Sequence, residues 1–199
     1  NLVYLSNHFG LPEVASFWEG VVHMNSWHQN RISKLIVKKL FGTLAKKKII
    51  ILGFAFKANT NDTRESAAIQ ICKDLIEEGA KLIIHDPKVN RDQIAIDLGI
   101  KESKADDFKE EVINFNNLGS WTFSENLTQV FDDTHAAVIL TEWDQYSLVN
   151  WEEVSTKMNS PAWVFDSRSI LNSEKLKDSG LNFWRVGDGS EINTEEYEN

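Results

Sequence analysis

The sequence predicts an α/β protein in which a long N-terminal helical segment precedes a doubly wound parallel sheet. Two observations carry this prediction: short apolar runs recur from residue 49 onward, and segments with helical spacing of apolar residues separate them. Short continuous apolar runs are typical of strands that are buried on both faces. Alternating strands and helices imply right-handed crossovers with helices on both faces of the sheet. The expected fold class is therefore Rossmann-like.

The predicted helical segment covers residues 1–45. Apolar residues recur three and four positions apart from Leu2 to Leu40, and Gly10 to Pro12 interrupt them. Pro12 suits the first turn of a second helix, where its missing N–H costs little. A helix of about thirty residues has more apolar surface than a small domain usually covers. It either packs across its own domain or, as we favour, connects domains or dimerises against a partner surface.

The remaining elements follow from Lys48 onward and predict a nucleotide-binding domain over residues 46–187. A helix is expected from Ser66 to Glu78, ending at Gly79, and the polar stretch from 90 to 120 has room for another. Strands are expected at residues 49–52, 81–84, 121–123, 136–141, 162–165 and 182–186, with a short helix at 126–131. Residues 188–199 hold five acids and no basic residue, which predicts a disordered acidic tail.

Charge and composition exclude several classes of protein. The formal net charge of −9 argues against sequence-independent binding of nucleic acid. Residues 1–50 hold seven basic and two acidic residues, whereas the rest of the chain holds fourteen basic and twenty-eight acidic ones. No apolar run approaches the roughly 20 residues of a membrane-spanning helix, and no signal peptide is evident, so no membrane partner is expected. The single Cys cannot form an internal disulfide, which favours a cytoplasmic location.

Candidate binding residues follow the first predicted strand. Only Gly53 stands where a dinucleotide-binding turn has three glycines, so the usual pyrophosphate turn is not expected. Lys57 and Arg64 precede a helix N-terminus, where cations and free N–H groups can bind phosphate oxygens. The spacing leaves a second interpretation of these two cations equally open: they lie on a solvated surface or pair with Asp62 and Glu65. For Phe54 and Phe56, the pattern by itself favours a place in the core.

Three later strand ends offer further polar groups. Arg168 follows the fifth strand and could reach the same crevice, although an ion pair with Asp166 is the alternative. For the segment 141–144 we favour helix capping. Asp86 stands where some nucleotide-binding folds have a ribose-binding acid, but Pro87 directly after it favours a role in a turn and at a helix start.

Other potentially reactive residues lack a catalytic pattern. Cys72 falls on the sheet-facing side of its predicted helix, so we expect a buried residue rather than a nucleophile. The five histidines lack ligand-like spacing, and no G-x-S-x-G motif occurs. We therefore assign neither a metal site nor a catalytic residue to this chain.

Four motifs in sequence order carry a family resemblance: GFAFKANTNDTRES at 53–66, HDPKV at 85–89, TEWD at 141–144 and FDSR at 165–168. Together with the opening NLVYL, they resemble the UDP-glucose 6-dehydrogenases. The resemblance covers the chain except the region around 101–119 and the acidic tail. It implies the connecting helix and the C-terminal UDP-binding domain of an enzyme that oxidises UDP-glucose to UDP-glucuronate with two NAD⁺.

The resemblance also implies roles for individual residues. Phe56 and Lys57 match positions that hold the UDP-sugar, and Arg168 matches an arginine that contacts the substrate nucleotide. Arg64 matches an arginine that meets NAD. Three cations around one crevice would neutralise a diphosphate in an otherwise acidic protein.

The family's nucleophilic Cys, catalytic Lys and NAD-binding glycines belong to a portion upstream of Asn1. We therefore expect the isolated chain to be inactive and to form homo-oligomers through its N-terminal helix. Whether it is a cut fragment or a truncated gene product stays open. The alternatives are a dehydrogenase acting on GDP-mannose or an N-acetylated UDP-sugar, and a stand-alone nucleotide-binding module.

Overall fold

The computed structural model describes residues 2–103 and 119–187. The helices are α1 (Leu2–His8), α2 (Pro12–Lys39), α3 (Ala67–Glu77), α4 (Arg91–Leu98), α5 (Asp144–Ser147), α6 (Trp151–Ser155) and α7 (Ser173–Lys177). The strands are β1 (Lys48–Leu52), β2 (Lys81–His85), β3 (Ser120–Phe123), β4 (Ala136–Ile139), β5 (Trp163–Asp166) and β6 (Asn182–Arg185).

The strands form one parallel sheet in the order β3-β2-β1-β4-β5-β6. The chain winds outward from β1 to β3, returns to the centre, and winds outward again from β4 to β6. This arrangement confirms the predicted doubly wound α/β fold. Its switch point lies between β1 and β4, where loops leaving neighbouring strands diverge and open a crevice.

Local sequence accounts for the elements around this switch point. β1 is an apolar run that is buried from Ile49 to Leu52, as a central parallel strand requires. The Oγ of Ser66 caps α3 by accepting a hydrogen bond from the N–H of Ala68. The same hydroxyl donates to the carbonyl of Phe54 at 2.8 Å. The helix start is thereby tied to the loop after β1.

The N-terminal helices match the prediction, with Pro12 in the first turn of α2. The C-terminal part of α2 buries Ile32 and Ile36 in the domain core. It is also joined to α3, because the hydroxyl of Ser33 donates to Asp74 Oδ2 at 2.6 Å. Within the described residues, no helix is long and apolar enough to cross a membrane.

Two parts of the prediction differ from the structure. The short helix expected at 126–131 is wrong: residues 127–133 form turns, which end at Asp133, where φ is +59° and the N–H donates to the carbonyl of Lys157 at 3.0 Å rather than continuing a helix. The short helices α6 and α7 were not anticipated, whereas α5 begins at Asp144, within the segment expected to cap a helix. The predicted acidic tail and most of the region from 101 to 119 lie outside the described residues, and the domain boundaries stay predictions.

Candidate functional site

The candidate site is built from the loops that follow β1, β2, β4 and β5. The first loop begins at Gly53, whose φ is +95° and whose N–H donates to the carbonyl of His85 at 2.9 Å. A Cβ at position 53 would lie 2.4 Å from Thr141 Cβ, so only glycine fits there. The hydroxyl of Thr141 donates to the carbonyl of Ala55 at 2.7 Å. The loops after β1 and β4 are therefore in direct contact.

Asp86 holds these loops together. Its Oδ2 accepts from the N–H groups of Phe54 at 2.7 Å and Ala55 at 3.0 Å, and from the indole N–H of Trp143 at 3.2 Å. Its Oδ1 accepts from the N–H groups of Lys88 and Val89. The predicted turn role is confirmed, whereas the helix-start role is wrong, because Asn90 caps α4. The sequence did not reveal that this buried carboxylate also fixes the loop after β1, rather than being free for a ribose.

Phe56 and Lys57 lie at the exposed tip of the first loop. Phe54 is buried, as expected, but Phe56 is 49% exposed, so the core interpretation is wrong for Phe56. The N–H of Phe56 donates to the carbonyl of Asp62 at 2.9 Å and closes the loop. Lys57 is exposed directly beside it.

Arg168 crosses from the end of β5 to this loop. Its Nε donates to the carbonyl of Leu140 at 2.8 Å, and its Nη2 donates to the carbonyl of Phe56 at 3.2 Å. The alternative interpretation, an ion pair with Asp166, is wrong, because the buried Asp166 carboxylate accepts from the backbone N–H groups of Arg168 and Leu171 instead. The structure thus brings Arg168 and the Phe56–Lys57 tip together.

Glu142 is the residue of this site to which the sequence analysis gave only a helix-capping role. Its Oε2 lies 3.3 Å from Arg168 Nε, and its Oε1 accepts from the N–H of Ala58 at 3.3 Å. The helix-capping interpretation of the segment 141–144 is therefore wrong for Thr141 and Glu142. One feature of the sequence could have predicted this pair: an acid, Glu142, follows one strand at the switch point, and a cation, Arg168, follows the next strand.

Arg64 lies apart from this arrangement. Its guanidinium makes a two-pronged contact with Asp62, with Nε–Oδ1 at 2.9 Å and Nη2–Oδ2 at 2.7 Å. This contact lowers the pKa of Asp62 to about 2. Of the two interpretations that the spacing left open for Arg64, the structure shows local pairing on an exposed loop.

Beneath the loops, His85 and Tyr146 form a buried polar pair. The Tyr146 hydroxyl donates to the carbonyl of His85 at 3.0 Å and lies 3.0 Å from His85 Nδ1. Because the hydroxyl proton is used by the carbonyl, Nδ1 is the donor of the second contact. Burial lowers the pKa of His85, which keeps the ring neutral.

Cys72 is fully buried in α3, as expected, and burial raises the pKa of its thiol. A thiolate nucleophile at this position is therefore disfavoured. Over residues 2–103 and 119–187, no group of three or more His, Cys, Asp or Glu side chains is arranged to hold a metal ion.

Residues 50–173 match the model of the UDP-glucose/GDP-mannose dehydrogenase family, UDP binding domain. The chain belongs to this family. All four site residues expected from the sequence, Phe56, Lys57, Arg64 and Arg168, fall within the matched region. The resemblance inferred from the motifs is confirmed.

Curated relatives in this family are UDP-glucose 6-dehydrogenases from animals and plants. The chain is 42% identical over 189 residues to the Mus musculus enzyme and 41% identical over 187 residues to the Drosophila melanogaster enzyme. These matches cover 94% of this chain but only 37% and 38% of the relatives. The chain therefore spans less than two fifths of the length of these relatives.

Solved structures of family members share the fold. A UDP-glucose dehydrogenase from Pyrobaculum islandicum aligns with a TM-score of 0.54 and 23% identity, covering 75% of this chain and 29% of that protein. A GDP-mannose dehydrogenase from Pseudomonas aeruginosa aligns with a TM-score of 0.51 and 19% identity, covering 84% of this chain and 34% of that protein. At these identities the similarity shows the fold alone.

Proposed function

We propose that this chain is the UDP-sugar-binding portion of an NAD-dependent UDP-glucose 6-dehydrogenase, which oxidises UDP-glucose to UDP-glucuronate. The observation that carries the proposal is the contact between Arg168 and the carbonyl of Phe56 beside Lys57. It joins two cations from opposite halves of the sheet at the switch point, where a ligand of such a fold binds. Identities of about 40% to UDP-glucose 6-dehydrogenases favour UDP-glucose over other nucleotide sugars.

In this proposal, Phe56, Lys57 and Arg168 bind the UDP-sugar. The guanidinium of Arg168 and the ammonium of Lys57 neutralise diphosphate charge, and the exposed ring of Phe56 offers an apolar surface. Neutralisation matters because the protein as a whole is acidic and would otherwise repel the ligand.

The described residues do not fit a complete NAD site. A single glycine, Gly53, occupies the turn after β1, and the Asp86 carboxylate is committed to backbone and indole donors. We propose only that Arg64, exposed on its loop, meets NAD held elsewhere in the intact enzyme. NAD supplies the hydride acceptor for the oxidation.

Titration of UDP against the purified chain tests the nucleotide site. Arg168→Ala removes a charge-assisted contact worth about 1.5–3 kcal/mol, so UDP should bind roughly ten- to a hundredfold more weakly. Lys57→Ala should weaken the binding of UDP by about tenfold. Lys175→Ala, which removes an exposed lysine in α7, is the control and should leave the Kd unchanged.

Unchanged UDP affinity in both Lys57→Ala and Arg168→Ala would refute the site, provided that thermal unfolding shows all variants folded. Tighter binding of GDP than of UDP would favour the GDP-mannose alternative. The chain should not reduce NAD⁺ with UDP-glucose, since its one cysteine, Cys72, is buried with a raised pKa. Turnover by this chain would contradict that part of the proposal.

The N-terminal helices are proposed to form a homo-oligomer interface. Residues 2–27 leave large apolar side chains exposed, including Phe17 at 66% and Met24 at 62%. Exposed apolar faces of this extent mark interaction surfaces. Sedimentation should show self-association that the double substitution Phe17→Glu with Met24→Glu abolishes. Ile96→Glu, on the exposed side of α4, is the matched control, and a monomeric wild-type chain at high concentration would contradict the proposal.

A cytoplasmic location also belongs to this proposal, supported by a buried, unpaired Cys72. Fractionation of cells that express the intact protein is its test, and recovery in a secreted fraction would contradict it.

A further inference from the structure

The carboxylate of Glu142 lies between two donors of the candidate site. One is the backbone N–H of Ala58 in the loop after β1, and the other is the guanidinium of Arg168 after β5, each with a contact of 3.3 Å. Backbone N–H groups and guanidinium groups are the donors that proteins commonly use for phosphate oxygens. A carboxylate of the chain itself therefore lies between two such donors, with Oε1 toward Ala58 and Oε2 toward Arg168.

Arg168 does not depend on Glu142 for its orientation. Its Nε donates to the carbonyl of Leu140 and its Nη2 donates to the carbonyl of Phe56, so two neutral acceptors already fix the guanidinium plane. These acceptors leave its positive charge uncompensated. Glu142 supplies the compensating charge.

The ion pair is exchangeable because it faces solvent. The side chains of Arg168 and Glu142 are 36% and 39% exposed. Ion pairs at such sites contribute little net free energy, about 0.2–1 kcal/mol, since water competes for both partners. A ligand that brings more negative charge than one carboxylate can displace Glu142 at small cost.

We propose that Glu142 is a displaceable internal counter-ion, whose carboxylate occupies the position that a diphosphate oxygen of the nucleotide takes when it binds. The inference rests on the proposed UDP site and adds a regulatory residue to it. Without ligand, Glu142 bridges the loops after β1 and β5. With ligand, the diphosphate makes that bridge, and the competing carboxylate sets an upper limit on affinity.

UDP titration of Glu142→Gln tests the inference. The Gln carboxamide oxygen can still accept from the Ala58 N–H, but the negative charge next to Arg168 is lost. UDP should therefore bind about two- to fivefold more tightly than to the wild-type chain, the range that the upper part of that ion-pair energy allows. Glu152→Gln, which removes an exposed acid in the first turn of α6, controls for the change in net charge and should alter the Kd by less than about twofold.

A double-mutant comparison makes the test specific to the pair. The gain from Glu142→Gln should disappear in the Arg168→Ala background, because the carboxylate then has no cation to compete for. A carboxylate that merely stabilised the loop would give the opposite sign, with weaker UDP binding and a lower unfolding temperature in Glu142→Gln.

The outcomes separate this inference from the proposed function. If the wild-type chain binds UDP and Glu142→Gln binds it equally well or more weakly, the inference is overturned but the proposed function is not. An equal gain from Glu152→Gln would also overturn it, because the effect would then be one of net charge. Absence of UDP binding to wild type and Glu142→Gln alike would overturn the inference and the proposed function together.

Discussion

The carboxyl edge of the sheet and the N-terminal helices differ in how far their side chains are packed and hydrogen-bonded within the chain. At the sheet edge, a single carboxylate, Asp86, accepts from five N–H groups of three loops. In α1 and the first half of α2, large apolar side chains such as Phe17 and Met24 face solvent. The difference indicates that the nucleotide-binding domain completes its own fold, whereas the helical segment presents a surface suited to another molecule.

The same contrast occurs within α2. Ile36 is fully buried against the domain, and Ile32 lies one turn before it in the same core. Toward the N-terminus of the helix, Phe17 and Val22 have the same apolar character but are exposed. One continuous helix therefore serves two structural purposes, and substitutions along it distinguish them.

The largest expected effect is that of Asp86→Ala. The substitution leaves the N–H groups of Phe54 and Ala55 and the indole N–H of Trp143 buried without their acceptor. Each such group costs about 1–3 kcal/mol, so the free energy of unfolding should fall by at least about 3 kcal/mol. Urea unfolding measures the change. A loss below about 1 kcal/mol would show that the loops do not depend on this carboxylate.

The contrast within α2 predicts that alanine substitutions at its two ends have unequal effects on the free energy of unfolding. Ile36→Ala should lower the free energy of unfolding by about 2–5 kcal/mol, because it opens a cavity in the core. Phe17→Ala removes more side chain yet should change it by no more than about 0.5 kcal/mol at concentrations low enough for monomers. Similar losses in the two variants would contradict the division of α2.

The smallest expected effect is a pH dependence at His85. Burial lowers its pKa in the folded chain below the value in the unfolded chain, about 6.5. The unfolded state therefore binds more protons as the pH falls, so this contribution to stability is present above about pH 6.5 and is lost below it. Between pH 7.5 and 5.5 the unfolding temperature should fall, and His85→Gln should flatten that slope. Substitution of His23, exposed on α2, should preserve it.

The sheet could be predicted from sequence because its signal is local. Continuous apolar runs such as Ile49–Leu52 mark buried strands whatever their neighbours are. The helix expected at 126–131 failed because a distant segment fixes the end of this stretch. Leu127, Val130 and Phe131 have helical spacing, but the N–H of Asp133 donates to the carbonyl of Lys157, and the chain turns there.

The candidate site was predictable only in part, because its contacts join distant segments. Arg64 and Arg168 each have an acid two residues before them, and the sequence gives no reason to treat them differently. In the structure, Asp62 lies on an exposed loop and pairs with Arg64, whereas Asp166 is buried and accepts from backbone N–H groups. Arg168 is left to reach Glu142, an acid that only the sheet order brings near.

The contact between Arg168 and Phe56 links residues 112 positions apart. A nucleotide that contacts both residues therefore acts as a reversible cross-link between the two halves of the sheet, β1–β3 and β4–β6. Opening either half would break its contacts, so such a ligand opposes unfolding of the whole domain rather than of one loop. Bound nucleotide should consequently slow hydrogen exchange even in the central strands, far from any atom that it contacts.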